Sequence, residues 1–267
     1  MVNNFLMGGK LGDFLHSLFA VKHLNTSADV YMYDIGWEFG INNTYEELRP
    51  ILLNQNYIRS LSILTDYELD PVQTSTNNTP VRIKNSKLVN EGYVDLGGYI
   101  RSPWLYKACW SELYANTFNF IIGNEYAWIT HNKIDERFVG KVVIHRRNNP
   151  ARLNNDFPFN QIIEQYGDDI IFVSSNEDDY RAFPHQHIPF VKITTLDEWF
   201  TTINSCGLMI SNLTSPAVIA HALDVPRLIE LPNTLDAIHC MGEEKYSTNV
   251  NWYLSDTQNT LYEKILN

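Results

Sequence analysis

The chain has 267 residues, 44% hydrophobic and 19% charged, a composition that buries a sizeable core and excludes a disordered or fibrous protein. Its 20 Lys and Arg against 31 Asp and Glu give a formal net charge of -11, so the surface as a whole repels polyanions and general nucleic-acid binding is not expected. Cys109, Cys206 and Cys240 lie far apart with no C-x-x-C pair, and no apolar run reaches about 18 residues; this speaks against a disulfide framework, a thiolate metal site or a transmembrane segment, and suits a reducing, cytoplasmic setting.

In chain order, Phe5 to Met7 is a short apolar strand, GGKLGD a glycine-rich turn, and Phe14, Leu15, Leu18, Phe19 and Val21 recur at helical spacing. Asp29 to Asp34 alternates into a second strand, YEELRPILLNQ is helical with Pro50 as a bend or boundary, and Ile58 to Leu64 is a third strand. From Thr65 to Asn90 the pattern dissolves into a polar stretch that is either a long loop or a hairpin around Asn77 and Asn78. Tyr93 to Tyr99 predicts a strand and WLYKACWSELYANTF a helix.

A new run of alternating strands and helices begins at Lys141 to His145. It continues through a helix at Phe159 to Tyr166, a strand at Ile170 to Ser174, a short acidic helix from Asn176, and a strand near Val191 to Ile193. The helix LDEWFTTINSC, the strand and helix of LMISNLTSPAVIAHALDVP, and the strand RLIEL complete it. The last segment, DTQNTLYEKILN, predicts a terminal amphipathic helix. Alternation of this kind predicts parallel sheets with helices on both faces, in three parts: residues 1–125, 126–252, and a C-terminal helix over 253–267 that packs back on the first.

Ligands of open parallel sheets bind at the carboxyl ends of the strands, and three loops there carry chemistry. After KVVIH come Arg146, Arg147 and Arg152, fork-shaped donors matched to phosphate oxygens; the alternative is a solvated loop paired with carboxylates. LMIS ends on Ser211 and is followed by Asn212, Thr214 and Ser215, then by Pro216 at a position suited to a first helical turn, so free N–H groups and the positive helix end converge on one point. Ordinary capping explains the same residues without a ligand. Ser175, Asn176 and Glu230 follow neighbouring strands and are candidates for nucleoside hydroxyls, against a capping role for the acidic stretch. In the first half Gly9, Lys10 and Gly12 form a loop that lets a ligand approach backbone, with Asp13 as general base or cap and His16 one turn on. Trp37, Trp104, Trp110 and Trp128, with Tyr99 and Tyr106, offer rings for stacking on sugar faces, one or two of them at a site.

The order of features resembles the ADP-heptose lipopolysaccharide heptosyltransferase family. GGKLGDFLHSLFAVKHL is similar to that family's R-x-G-D start and helix, DFPFNQIIEQYGDDIIFVSS to its W-P-x-x-x-F segment, and LDEWFTTINSCGLMISNLTSPAVIAHALDVPRLIEL to its donor loop. Where its D-T-G-x-x-H motif has Asp, Thr, Gly and His, this chain has Leu213, Thr214, Ser215 and Val218. His145, Arg146 and Arg147 also resemble the H-x-R motif of GDP-fucose-dependent fucosyltransferases. The resemblance implies an α/β fold of two Rossmann-like domains facing a cleft (GT-B type) and a glycosyltransferase that moves a sugar from a nucleotide-diphosphate sugar to a hydroxyl of a glycan or glycolipid acceptor, inverting, with Asp13 as base. Neither a metal nor another cofactor is expected. The alternatives are a non-catalytic sugar-nucleotide or glycan-binding protein, and transfer to modified DNA, for which Lys84, Lys87 and Arg101 offer a local basic patch.

Overall fold

A computed structural model describes residues 3–253 apart from 25, 36, 38, 39, 72–80, 125 and 233. The terminal helix expected beyond residue 253 lies outside the described residues. The chain divides into two compact units, Met1–Leu105 with Ser111–Gly123, and Tyr106–Trp110 with Asn124–Asn267.

The first unit runs β1 (Asn4–Met7), α1 (Leu11–Leu24), β2 (Ala28–Met32), α2 (Ile41–Leu52), β3 (Ile58–Ile63), β4 (Glu68–Pro71), β5 (Val81–Lys84), α3 (Lys87–Glu91) and β6 (Val94–Asp95). A 3-10 turn (Leu96–Arg101) and α4 (Trp110–Phe118) follow. Its sheet has the order β3-β2-β1-β6, every pair parallel. The chain steps outward from β1 to β3 and returns to β6 on the other side of β1, so the loops after β1 and β6 part between those two strands. Within the polar stretch β4 pairs antiparallel with β5, while the turn expected around Asn77 and Asn78 lies outside the described residues.

Helix α2 runs through Pro50 to Leu52, so Pro50 is not its boundary; lacking an N–H, Pro50 forgoes only the bond to the Glu46 carbonyl in the turn before it. The strand expected over Tyr93 to Tyr99 stops at Asp95, whose carboxylate accepts from the Gly97 N–H at 3.0 Å and turns the chain into the 3-10 segment. Helix α4 begins at Trp110 rather than near Trp104.

The second unit holds β7 (Val142–His145), α5 (Phe159–Tyr166), β8 (Ile170–Ser174), α6 (Glu177–Ala182), β9 (Phe190–Lys192), α7 (Leu196–Ser205), β10 (Leu208–Asn212), α8 (Ser215–Ala222), β11 (Arg227–Glu230) and β12 (Val250–Tyr253). Read from one edge, its sheet is β9-β8-β7-β10-β11-β12 and wholly parallel. Ile144 and Phe172 of the sheet pack with Phe159 and Ile162 of α5 on one face, and His145 meets Trp199 of α7, ring centroids 5.1 Å apart, on the other. Helices therefore cover both faces, and the strands read as near-continuous apolar runs for that reason. The chain leaves β7 toward β9 and comes back at β10, beside β7. That reversal is the topological switch point, where the loops after β7 and β10 open away from each other.

Candidate functional site

The arginine loop and the start of α8 sit on these two adjoining strand ends. Ser211 is in register with His145, one residue before the loop. The Arg147 N–H donates to Asn212 Oδ1 at 3.1 Å, and Asn212 Nδ2 donates back to the Arg147 carbonyl at 3.0 Å. Asn212 is completely buried, so its amide acts as one more rung of backbone pairing across the switch point.

Arg146 and Arg152 have protein partners that the sequence did not reveal. Arg146 forms a bidentate pair with Glu230, Nε to Oε2 at 2.8 Å and Nη2 to Oε1 at 2.7 Å, with its guanidinium 5.0 Å from the Phe159 ring centre. The Glu230 side chain is 1% exposed and also accepts from the Asn154 N–H at 2.6 Å. Arg146 is therefore not a free phosphate ligand, and Glu230 is not placed to take a nucleoside hydroxyl: each neutralises the other in the interior. Arg152 pairs with Asp236 at 2.7 Å, but both side chains are about one-third exposed, so an incoming anion competes for that guanidinium at little cost.

Thr214 is the N-cap residue of α8, yet its side chain makes no capping bond; its hydroxyl donates to the Asn212 carbonyl instead, at 3.2 Å. Ser211, expected to face a ligand, is buried and donates to the Asn212 carbonyl at 2.9 Å. Ser211 and Asn212 are thus internal braces, and Ser215 with the first N–H groups of α8 is what the turn leaves for a ligand. Leu213 packs against the apolar cluster of Ala217, Ile229 and Leu231. Beyond β8, Asn176 caps α6 by accepting from the Asp178 N–H at 3.0 Å, while Ser175 is exposed. The capping role fits Asn176, and Ser175 makes no cap there; both residues are exposed.

His145 is buried and its Nδ1 lies 3.0 Å from the Val173 carbonyl, an acceptor only, so Nδ1 carries the proton. Burial lowers its pKa below the usual 6.5, the hydrogen bond to Val173 only partly opposing this. The native state holds it neutral while the unfolded chain takes up a proton, so its stabilising contribution is present above about pH 6.5 and is lost as pH falls through the lowered value. Thermal melts between pH 8 and pH 5 are expected to show Tm falling with acidity, with a shallower slope for His145→Gln.

In the first unit, Gly9 has φ +112° and Gly8 lies so close to Tyr33 and Ile35 that a Cβ would come within 2.5 Å of both. Gly8 is glycine for lack of room, and Gly9 for its left-handed backbone conformation in open space. Lys10 is exposed and its carbonyl accepts from the Phe14 N–H at 3.0 Å, opening α1. Gly12 falls inside that helix, not in the loop. Asp13 stands in its first turn, half-buried, beside Tyr114. The Tyr114 phenol is pushed well above its usual pKa, chiefly by burial, with Tyr99 and the Asp13 carboxylate adding to it. His16, expected to face a ligand, is buried on α1.

Trp37 and Trp128 are core residues, whereas Trp104 and Tyr106 are exposed. In the proposed basic patch, Arg101 pairs with Asp95 at 2.7 Å and Lys87 with Glu91 at 3.2 Å, which leaves little positive field for a polyanion. Among the described residues no group of three or more His, Cys, Asp or Glu side chains is arranged to hold a metal ion, and no helix is long and apolar enough to cross a membrane.

The two parallel sheets define a doubly wound α/β fold, and the comparisons with solved structures agree. No family model matches the sequence, and no curated protein matches it. A family 9 glycosyl transferase from Veillonella parvula DSM 2008 superposes with a TM-score of 0.54 at 11% identity, covering 98% of this chain and 91% of its own. The dodecameric iron-containing heptosyltransferase TibC of enterotoxigenic E. coli H10407, solved with ADP-D-beta-D-heptose, gives 0.51 at 11% identity over 95% of this chain and 62% of that one. The fold is the one these glycosyltransferases share.

Proposed function

We propose that the protein is a nucleotide-sugar glycosyltransferase whose second unit binds the donor and whose first unit binds a glycan or glycolipid acceptor. One observation carries the reading: an arginine-bearing loop and a helix start whose N-cap side chain caps none of the helix N–H groups meet on adjoining strand ends at the switch point of the second sheet. Diphosphate oxygens fit that place, with Arg147 and Arg152 supplying charge-assisted donors and α8 supplying N–H groups. Ser215 and Ser175 are the remaining polar contacts toward the donor.

In the reaction, Asp13 takes the proton from an acceptor hydroxyl as its oxygen attacks the anomeric carbon. The bond from that carbon to the diphosphate breaks, and the nucleoside diphosphate leaves with the electron pair. Attack from the face opposite the leaving group inverts the centre. Charge building on the departing diphosphate is met by fixed guanidinium groups and helix N–H groups, so no metal is required in this scheme.

Incubation with ADP-, GDP-, UDP-, CMP- and TDP-sugars tests the proposal. Slow release of nucleotide from one of them is expected, reduced about 10²-fold or more in Arg147→Ala, in line with losing a donor that serves the transition state. Binding without any release, by a protein with Asp13 intact, favours a non-catalytic sugar-nucleotide-binding role.

A further inference from the structure

The arginine loop, residues 146–154, has little regular structure, so its backbone donors need other partners, and three of them end on buried side chains from three separate elements. Arg147 N–H goes to Asn212 at the end of β10, Asn148 N–H goes to Asp179 Oδ1 on α6 at 2.8 Å, and Asn154 N–H goes to Glu230 at the end of β11. These acceptors are 0%, 7% and 0% exposed. Asp179 is itself aimed by Ser174, whose hydroxyl donates to its other oxygen at 2.8 Å.

We infer that Asp179 and Asn212 are positioning residues that lock the backbone on either side of the Arg147–Asn148 peptide and so fix where the Arg147 guanidinium starts from. This rests on the donor reading under Proposed function. The two act by different chemistry. Asn212 must both accept and donate, since Nδ2 also reaches the Arg152 carbonyl at 3.4 Å, so an isosteric carboxylate in its place faces two carbonyl oxygens and repels them. Asp179 needs only to accept. Its amide isostere therefore keeps the Asn148 bond, whereas alanine strands a buried N–H. The Arg147, Asn148 and Asn154 N–H groups are filled by the protein, so at those residues the loop meets an anion through its side chains.

The test pairs hydrogen exchange over residues 146–154 with titration by ADP, GDP and UDP, on the wild type and on Asp179→Ala, Asp179→Asn and Asn212→Asp. In Asp179→Ala the loop amides are expected to exchange about 10-fold faster and the best nucleotide to bind about 10-fold more weakly, with Asp179→Asn within about 3-fold of wild type on both. Asn212→Asp is expected to behave like Asp179→Ala. Wild-type exchange and affinity in Asp179→Ala, or an Asp179→Asn protein as impaired as the alanine variant, overturns the inference. Should Asp179→Ala not fold, Ser174→Ala, which frees the carboxylate without unpairing Asn148, is expected to raise loop exchange about 3-fold, and no rise overturns the inference. A wild type that binds none of the three nucleotides, with the loop protected, overturns the donor reading and with it the clamp's functional role. A nucleotide that binds with the loop unprotected overturns the clamp alone.

Discussion

Glu230→Ala is expected to lower the unfolding free energy by about 3–5 kcal/mol, the usual cost of stripping one partner from a buried ion pair. The magnitude follows from what stays behind. Arg146 keeps its charge with its side chain only 13% exposed, and the Asn154 N–H loses its acceptor. The cation-π contact with Phe159 and the 3.3 Å bond to the Asn154 carbonyl do not balance a full charge. Replacing both partners, Arg146→Met with Glu230→Leu, is expected to recover most of the loss, because two well-packed apolar side chains avoid the desolvation cost of the pair. Urea melts of the single and double variants check this. If Arg146 served a ligand and Glu230 were idle, the single Glu230 variant would cost under about 1 kcal/mol, as exposed pairs do.

Asp13→Asn is expected to keep the fold and nucleotide affinity while lowering transfer about 10²- to 10⁴-fold, the range a positioned general base supplies. The amide preserves size and a carbonyl oxygen at the start of α1, so the first unit should melt within about 0.5 kcal/mol of wild type, as at most surface positions. The helix dipole also favours a carboxylate there, which accounts for any small loss of stability. A change in nucleotide affinity rather than turnover would instead place Asp13 on the donor.

The regular elements were legible where the periodic pattern had clear ends. Helix α5 and strand β8 fall on Phe159–Tyr166 and Ile170–Ser174, because Gly167 breaks the helix between two apolar runs. The capping of α6 by Asn176 was readable from the acidic turn that follows it. Strand β6 was harder: LGG reads as extended, and only the bond from Gly97 to Asp95 shows the chain tightening into a 3-10 turn. The loops bearing the candidate site were legible, but not the state of their charges. Arg146 and Glu230 are 84 residues apart, and only the adjacency of β7, β10 and β11 brings them together. In the same way Asp179, third of three acids in a row, is the buried one, because it alone turns toward Ser174 and Asn148.

The most direct test of the central claim, that the switch point of the second sheet binds a nucleoside diphosphate, is a thermal-shift titration with ADP, GDP, UDP, CDP and TDP. A ligand that binds only the native state at 100 times its Kd stabilises by about 2.7 kcal/mol. One of the five is expected to raise Tm saturably in the wild type and to do so far less in Arg147→Ala. No shift with any of them, or an equal shift in Arg147→Ala, would contradict the account.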